Sequence, residues 1–286
     1  MKVVVVYNPK SGSSVGEASL KDKFKSAGIN VEQMIPINRN ISSSLRPFLK
    51  NDKTIIAVCG GDGTINSVAG ILAGTKTILA PLPGGTLNHF TKDLGIEQDL
   101  DKAIANLHNA RPRHIDLAKI NDKVIINNSS IGLYPAALRF REDLPKSPVT
   151  KWFSMVIASI RSLIRNRTYS LTIEKDSMQT PLLFVGNNDY GLEHGIITGR
   201  KRLDQGVLSV YAITSTGRLR VIKVLLLFLI GRASNSTDIR TWKTDELIIR
   251  TPRRNVRVSR DGEHEKIDTP LRYEIVKKSL LVIGGE

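Results

Sequence analysis

Hydrophobic residues in the first 110 positions form short runs, and between these runs they recur at helical spacing. The runs over residues 3–7 and 54–59 are rich in β-branched residues, which is typical of strands buried on both faces. Residues 29–35 and 77–82 predict two further strands of the same kind. The pattern therefore predicts four strands, each separated from the next by enough residues for a helix.

Helices are predicted in the intervening segments, namely around Leu20, Phe24 and Ala27, over residues 42–50 and 65–72, and in a segment that ends at Leu94. Alternation of strands and helices implies a parallel sheet with helices on both faces. In such a sheet, ligands bind at the carboxyl ends of the strands. We therefore predict an α/β domain with a doubly wound parallel sheet over residues 1–112.

After Arg111 the pattern changes to strands that follow one another directly. They are predicted over residues 114–120, 124–128, 169–174, 182–185, 207–213, 246–250, 255–259, 271–275 and 280–283. One helix, over residues 151–165, interrupts the series. This arrangement predicts a C-terminal antiparallel β-sandwich domain over residues 113–286, and whether the tail after about residue 276 returns to the first domain stays open.

No segment has the pattern of a signal peptide or of a membrane-spanning helix. The longest apolar stretch, residues 221–230, contains Lys223 and would extend about 15 Å as a helix, half of a bilayer core of about 30 Å. We expect it to be a core helix or an interfacial one.

Three loops rich in small and polar residues follow three of the predicted strands. The strongest signal is GGDGT at residues 60–64, where glycines permit positive φ and close backbone approach before a helix. Backbone N–H groups and a helix N-terminus at such a turn bind an anion, and Thr64 and Asn66 can add side-chain donors. Asp62 would then hold a cation or accept a proton. The alternative is a tight turn in which Asp62 is a cap.

The other two loops are NPKSG at residues 8–12 and PGGTLN at residues 83–88. Taken singly, each is also a common turn or cap composition. The chain contains no GxxxxGK[ST] element, and its first turn lacks GxGxxG, so it has neither a P-loop nor the usual dinucleotide fingerprint.

A fourth motif, RDGEH at residues 260–264, places two carboxylates on either side of a glycine. Asp261 and Glu263 could supply a general base or a magnesium ligand. A plain surface turn explains the same residues equally well.

The formal net charge of +15 indicates a polyanionic partner, although solubility alone is an equally good explanation. Residues 111–286 hold 30 of the 42 basic and 18 of the 27 acidic side chains, so most of the excess lies in the second predicted domain. Aromatic residues are only 5%, and no RNP-like or zinc-finger segment is present, which argues against nucleic acid. The single cysteine excludes an internal disulfide framework and fits a reducing compartment.

Taken together and in order, these motifs resemble the diacylglycerol kinase catalytic family, which includes bacterial lipid kinases and the sphingosine and ceramide kinases. The resemblance rests on Asn8-Pro9 with Gly12, GGDGT at residues 60–64, PGGTLNHFTKDLG at residues 83–95 and DGE at residues 261–263. NAD kinases share the GGDG loop, so that loop alone does not decide. The second and last blocks favour the lipid kinases.

The resemblance implies an NAD kinase-like α/β domain, a C-terminal β-sandwich, a lipid substrate that enters between them, and ATP with Mg²⁺. It implies nucleotide contacts for Asn8, Pro9, Gly12, Gly60, Gly61, Asp62, Gly63, Thr64, Asn66, Gly85, Thr86 and Asn88. Glu263 is the proposed proton acceptor by this carry-over. Asp62 is the base candidate of the sphingosine branch and our candidate magnesium ligand. Asp261 is the third catalytic candidate, and we rank Glu263 ahead of Asp62.

The sequence departs from the family at a structural cation site. Bacterial members often carry an aspartate that holds the cation where this chain has Gln205, and Asp204 is the candidate substitute. His89 also stands where an acid is common. The structural cation is therefore left open.

We expect phosphoryl transfer from ATP to a lipid hydroxyl, diacylglycerol-like, by a cytoplasmic enzyme that visits an anionic membrane surface. The candidate membrane-facing residues are Arg161, Arg165, Arg200, Lys201, Arg202, Arg218, Arg220 and Lys223, with Trp152, Phe153 and Phe228 as candidates for insertion. The alternatives are an NAD kinase-like phosphotransferase and a non-catalytic nucleotide-binding protein. The oligomeric state is open, a homodimer included.

Overall fold

The fold is described by a computed structural model that covers residues 2–9, 16–38, 40–49, 54–86, 88–109, 111–132, 168–173, 176–193, 196–229 and 236–285. The chain forms two units. Unit 1 comprises residues 1–117, 202–204 and 276–286, and unit 2 comprises residues 118–201 and 205–275.

Unit 1 alternates strands and helices, as the hydrophobic pattern predicts. Its elements are β1 (Lys2–Tyr7), α1 (Glu17–Ser26), β2 (Val31–Pro36), α2 (Ile41–Leu45), β3 (Thr54–Gly60), α3 (Asp62–Leu72), β4 (Ile78–Pro83), α4 (His89–Asp93) and α5 (Leu100–Ala105), with 3₁₀ turns at Arg46–Phe48 and Asn106–His108. The strands pair in the order β2-β1-β3-β4, all parallel. Leu281 and Val282, near the end of the last strand, extend this parallel sheet beside β4.

Both faces of the parallel sheet are covered by helices. Val3 and Val5 of β1 are at most 1% exposed and pack with Leu20 and Phe24 of α1. Strand β3 is buried at all seven positions, which requires cover on its opposite face as well. The predicted doubly wound α/β arrangement is confirmed.

Unit 2 is built mainly from antiparallel strands. Its elements are the end of β5 (Pro112–Ile120), β6 (Lys123–Ile125), β7 (Asn128–Gly132), β8 (Tyr169–Ile173), β9 (Asp176–Thr180), β10 (Leu182–Asn187), β11 (Tyr190–Glu193), β12 (Ile196–Arg200), β13 (Leu208–Ile213), α6 (Arg218–Leu229), β14 (Ile239–Thr244), β15 (Glu246–Arg250), β16 (Asn255–Arg260), β17 (Glu263–Asp268) and the start of β18 (Leu271–Ile283).

Two antiparallel layers of unit 2 share one hydrophobic core. One layer has the strand order β14-β13-β10-β7-β16-β17, and the other contains β18-β15-β8-β9. Val185 and Val258 from the first layer pack in the same buried cluster as Leu247, Ile249 and Tyr273 from the second. This is the predicted β-sandwich.

The differences from the predicted elements have local causes. The polar residues 277–279 break the hydrophobic pattern of the last strand, yet β18 runs unbroken through them, so two predicted strands are one. Strand β17 was not predicted because its sequence EHEKID buries only Ile267. Helix α3 begins at Asp62, three residues before the predicted start. The helix predicted over residues 151–165 lies outside the described residues.

Residues 221–229 of the apolar stretch belong to α6, where Val221 and Val224 pack against Ile213. This confirms the prediction of a helix there with a face in the core. Across the described ranges, no helix is long and apolar enough to cross a bilayer.

The burial of Cys59 at the end of β3 generates a first prediction. Its side chain is 7% exposed, and burial raises the pKa of the thiol to about 11, so at pH 8 only about 0.1% is thiolate. We expect iodoacetamide to leave the folded protein unmodified and to label it fully in guanidinium chloride. Because Cys59 is the sole cysteine, mass spectrometry reads this site directly. Rapid stoichiometric labelling of the folded protein would contradict the closed core.

Candidate functional site

The three loops that follow β1, β3 and β4 start at one edge of the parallel sheet. Tyr7 of β1 is level with Cys59 of β3, and Gly60 is level with Pro83 of β4. The Asn8 N–H donates to the carbonyl oxygen of Cys59 at 3.2 Å, which extends the pairing one residue beyond β1. This edge is where α/β sheets bind ligands.

The backbones of the second and third loops touch each other through glycines. A Cβ atom at Gly84 would lie 2.6 Å from the backbone nitrogen of Gly60. A Cβ atom at Gly85 would lie 2.4 Å from the Cα atom of Gly61. The close approach that these glycines permit is thus between the two loops, whereas their approach to an anion stays a prediction.

The predicted positive φ at these glycines is wrong. Residues 60, 61, 63, 84 and 85 are all described, and none of them has φ in the left-handed region. Gly84 and Gly85 are instead required by the contact between the two loops, since a side chain at either position would force the loops apart.

Side-chain hydrogen bonds connect the loops further. Asn8 Nδ2 donates to Thr64 Oγ1 at 3.2 Å, which joins the first loop to α3. Asn88 has φ 52°, and its Oδ1 accepts the Gly85 N–H at 2.9 Å. Thr64 and Asn66 are buried on α3, whereas Thr86 is exposed. Of the first loop, Pro9 is exposed and Gly12 lies outside the described residues.

The carboxylate of Asp62 binds the backbone at the start of α4. Its Oδ2 accepts the His89 N–H at 3.1 Å and its Oδ1 accepts the Phe90 N–H at 3.0 Å. The helix begins after Asn88, whose side chain makes no capping bond. Asp62 therefore caps α4 rather than the helix in which it lies, which explains an acid inside a loop suited to anions.

A hydrogen bond joins the two residues that flank the first loop. Tyr7 at the end of β1 donates its hydroxyl hydrogen to the carboxylate of Glu17, the first residue of α1. This hydrogen bond and burial raise the pKa of Tyr7. The contact fixes where α1 begins relative to the end of β1.

In unit 2, the DGE motif is the turn of the β16–β17 hairpin. Arg260 pairs with Glu263, and Asp261 and Gly262 form the two-residue connection with φ 47° and 87°. Asp-Gly is a favoured sequence for such a turn because both residues must adopt the left-handed region. The plain-turn interpretation is thus correct for the backbone.

The carboxylate of Asp261 is buried beneath this turn and binds three consecutive N–H groups. Its Oδ2 accepts from Ile126 at 3.0 Å, and its Oδ1 accepts from Asn127 at 2.7 Å and Asn128 at 3.1 Å. Burial raises the pKa of Asp261 to about 6, while the three N–H bonds and Arg260 act in the opposite direction. Asp261 therefore anchors the turn to the link between β6 and β7.

Glu263, the other acid of the motif, is the first residue of β17 and is exposed. Glu265, two residues further along β17, forms ion pairs with Arg260 at 2.7 Å and with Lys123. The catalytic role of Glu263 stays a prediction, but among the DGE acids it is the one at the surface.

The segment around Gln205 is held by hydrogen bonds. Gln205 Oε1 accepts the Asp189 N–H at 3.3 Å, and Asn188 Oδ1 accepts the Gln205 N–H at 2.9 Å. The carboxylate of Asp204 binds Arg202, and that hydrogen bond lowers the pKa of Asp204. Among the described residues, no group of three His, Cys, Asp or Glu side chains is arranged for a metal ion.

The candidate membrane-facing cations separate into exposed and buried residues. Arg200 is only 4% exposed, so its assignment to the membrane surface is wrong. The others that the structure describes are exposed, namely Lys201, Arg202, Arg218, Arg220 and Lys223. Arg161, Arg165, Trp152 and Phe153 lie outside the described residues, and so does the side chain of Phe228.

Comparisons with known proteins agree with this geometry. Residues 2–120 match the family model of the diacylglycerol kinase catalytic domain. A diacylglycerol kinase of Bacillus subtilis is 23% identical over 272 residues, which cover 91% of this chain and 89% of the relative. A diacylglycerol kinase of Staphylococcus haemolyticus is 28% identical over 180 residues, which cover 60% of this chain and 54% of the relative.

The fold has a counterpart among solved structures. The crystal structure of a diacylglycerol kinase from Bacillus anthracis superposes with a TM-score of 0.71 at 22% identity and covers 99% of this chain and 97% of that one. Residues 2–120 thus match a diacylglycerol kinase catalytic domain, the chain is similar to diacylglycerol kinases in sequence and in fold, and it is a kinase.

Proposed function

We propose that this kinase transfers the γ-phosphoryl group of ATP to a lipid hydroxyl, with a diacylglycerol-like acceptor and with Mg²⁺. The observation that carries the proposal is the contact of Gly60 and Gly61 with Gly84 and Gly85 at the carboxyl edge of the sheet. The two relatives that are named diacylglycerol kinases support the acceptor class.

The residues at this edge fit a nucleotide. Glycine backbones without side chains let phosphate oxygens approach N–H groups, and α3, with 11 residues, begins next to them. Asn8, Thr64 and Asn66 supply polar side chains beside that helix start. The remaining contacts proposed by resemblance are Pro9, Gly12, Gly63, Thr86 and Asn88.

The residues also fit a cation that is bound together with phosphates. Mg²⁺ is usually held by one or two carboxylates, phosphates and water rather than by an all-protein cage. Asp62 is the acid of these loops, and an ionised carboxylate has about four acceptor sites, of which the two N–H bonds of Asp62 use only part. When bound, ATP supplies the phosphoryl group and Mg²⁺ neutralises its charge.

Glu263 is our proposed general base. It would accept the hydroxyl proton of the lipid as the bond between that oxygen and phosphorus forms and the bond to the ADP oxygen breaks. Asp261 and Asp62 hold backbone N–H groups through both of their oxygens, so their places in the fold depend on staying there. We propose that these two acids position the loops.

An exposed part of α6 suits the surface of an anionic membrane on the cytoplasmic side. Leu219 is 83% exposed and lies on the side of the helix opposite the buried Val221 and Val224. Arg218 and Arg220 flank it, and Lys223 follows one turn later; all three are exposed. An apolar side chain among cations is the pattern of an interfacial helix, with about 1 kcal/mol from each basic residue near the surface.

The proposed reaction predicts a phosphorylated lipid product. Purified protein with ATP and Mg²⁺ should phosphorylate diacylglycerol in phosphatidylcholine–phosphatidylglycerol vesicles, with monoacylglycerol, sphingosine and ceramide as parallel acceptors and NAD in a separate arm. Glu263→Gln should lower kcat by about 100-fold or more, with a nucleotide KM within about twofold of wild type, because a general base contributes to the chemical step.

The matched control is Asp268→Asn, which removes an exposed acid from the same strand. Phosphorylation of NAD instead of lipid would make the chain a dinucleotide kinase. Nucleotide binding without any product would make it a non-catalytic binding protein. Full activity of Glu263→Gln would transfer the base role to Asp62, which Asp62→Asn would then test.

The loop contact predicts the effect of a single methyl group. Gly85→Ala should weaken ATP binding at least ~10-fold, because the new Cβ atom would overlap Gly61 Cα and push the second loop away. Isothermal titration with a non-hydrolysable ATP analogue measures this. Gly16→Ala is the control, since a Cβ atom there meets nothing within 4 Å. Equal affinity of both variants and wild type would disprove a nucleotide site at this contact.

The exposed end of α6 predicts vesicle binding that depends on Leu219. Leu219→Glu should reduce co-sedimentation with phosphatidylglycerol vesicles by about tenfold. The double variant Arg218→Ser with Arg220→Ser should reduce it by a similar factor, and the difference from wild type should become smaller as the salt concentration rises. Arg272→Ser, which removes an exposed arginine elsewhere in unit 2, should have little effect. If all three proteins bind vesicles like wild type, α6 is not the membrane contact.

A further inference from the structure

The link between β6 and β7 is held almost entirely by groups from other strands. The N–H groups of Ile126, Asn127 and Asn128 all donate to the Asp261 carboxylate. The Asn127 carbonyl accepts the Asn187 N–H at 2.9 Å, and the Asn128 carbonyl accepts the Asp261 N–H at 2.9 Å. Residues 126 and 127 belong to no strand and Asn128 is the first residue of β7, so bonds from other strands supply the partners of these backbone groups.

Arg200 holds the opposite side of the same segment. Its Nη1 donates to the carbonyls of Ile126 at 2.6 Å and Asn187 at 3.2 Å, and its Nη2 donates to Asn127 Oδ1 at 2.7 Å. Asn187 Nδ2 adds a bond to the Ile126 carbonyl at 3.0 Å. Residues 126–128 thus lie between a carboxylate that takes their N–H groups and a guanidinium that binds their oxygens.

The surroundings of Arg200 fix the plane of its guanidinium. The Cζ atom lies 5.2 Å from the centre of the Tyr190 ring. That ring lies close against Gly186, where a Cβ atom would come within 2.3 Å of it, and it meets Phe184 edge to face at 5.5 Å. A planar fork can satisfy these three acceptors and the ring together, whereas the single ammonium of lysine cannot.

We propose that Arg200 is a positioning residue for catalysis, which acts through residues 126–128 and Asp261 on the turn that carries Glu263. The proposal rests on the proposed role of Glu263 as the base. Arg200 fixes the segment, the segment fixes the Asp261 carboxylate, and Asp261 fixes the backbone from which Glu263 projects. A base that is displaced by a fraction of an ångström loses rate without losing nucleotide affinity.

Arg200→Lys removes the planar guanidinium while keeping the charge, and Arg272→Lys is the control at an exposed arginine of the same unit. On diacylglycerol vesicles, Arg200→Lys should lower kcat on the order of 10-fold and leave the nucleotide KM unchanged. In a Glu263→Gln background the same substitution should lower kcat no further, because the group that it positions is gone. Hydrogen exchange should accelerate in the peptides that contain residues 126–128 and 261–263.

Each outcome decides the proposal. A further tenfold loss in the Glu263→Gln background would show that Arg200 supports the fold generally and does not act through Glu263. If hydrogen exchange in residues 261–263 is the same in Arg200→Lys as in wild type, Arg200 does not position the turn that carries Glu263, even if kcat falls. If no acceptor is phosphorylated by wild type, the proposed function fails. The hydrogen-exchange data then test separately whether Arg200 positions the turn. Faster exchange in residues 126–128 and in residues 261–263 supports this, and unchanged exchange in either segment contradicts it.

Discussion

The architecture of unit 1 depends on one steric constraint, the contact of two backbones at a point where a side chain on Gly84 or Gly85 would overlap the opposite loop. Gly61 and Gly85 meet at the carboxyl edge of a sheet whose strands are already in register, so the positions of both loops are set by β3 and β4. Asp62 then reaches across this contact to cap α4, and Asn8 reaches Thr64 from the neighbouring strand. Each of these hydrogen bonds presupposes that the glycine backbones touch. The conformation of these loops therefore depends on the register of the sheet.

The two aspartates of the signature motifs do similar work in different units. Asp62 binds two N–H groups at the start of a helix, and Asp261 binds three in a link between strands. In both, one carboxylate binds consecutive backbone N–H groups, at the start of helix α4 in one case and at the start of strand β7 in the other. An acid in a motif is easily assumed to act on substrate, yet here the carboxylate of Asp261 fixes a turn, and of the two acids of the DGE motif only Glu263 is exposed.

The sequence predicts those features that depend on neighbouring residues, and it does not predict contacts between residues that are far apart in the chain. Strands rich in β-branched residues, such as β1 and β3, follow from the hydrophobic pattern, and the glycine motifs coincide with the loops that meet at the edge of the sheet. The reason for the glycines was mistaken because the atoms that exclude a side chain at Gly85 belong to Gly61, 24 positions away in the chain. Arg200 carried no signal, since its acceptors lie at residues 126, 127 and 187, and a basic run of residues looked like surface. Charged strands such as β17 were missed because burial there is confined to Ile267.

The pairing of β4 with the last strand has a consequence for synthesis of the protein. Ile78 and Leu79 are made early, but their partners Leu281 and Val282 emerge from the ribosome about 200 residues later. Until then, the nascent parallel sheet has an open edge at β4, a site at which other chains can pair. Unit 1 therefore reaches its final form only after unit 2 has been translated, and a ribosome that stalls before residue 281 would leave that edge exposed.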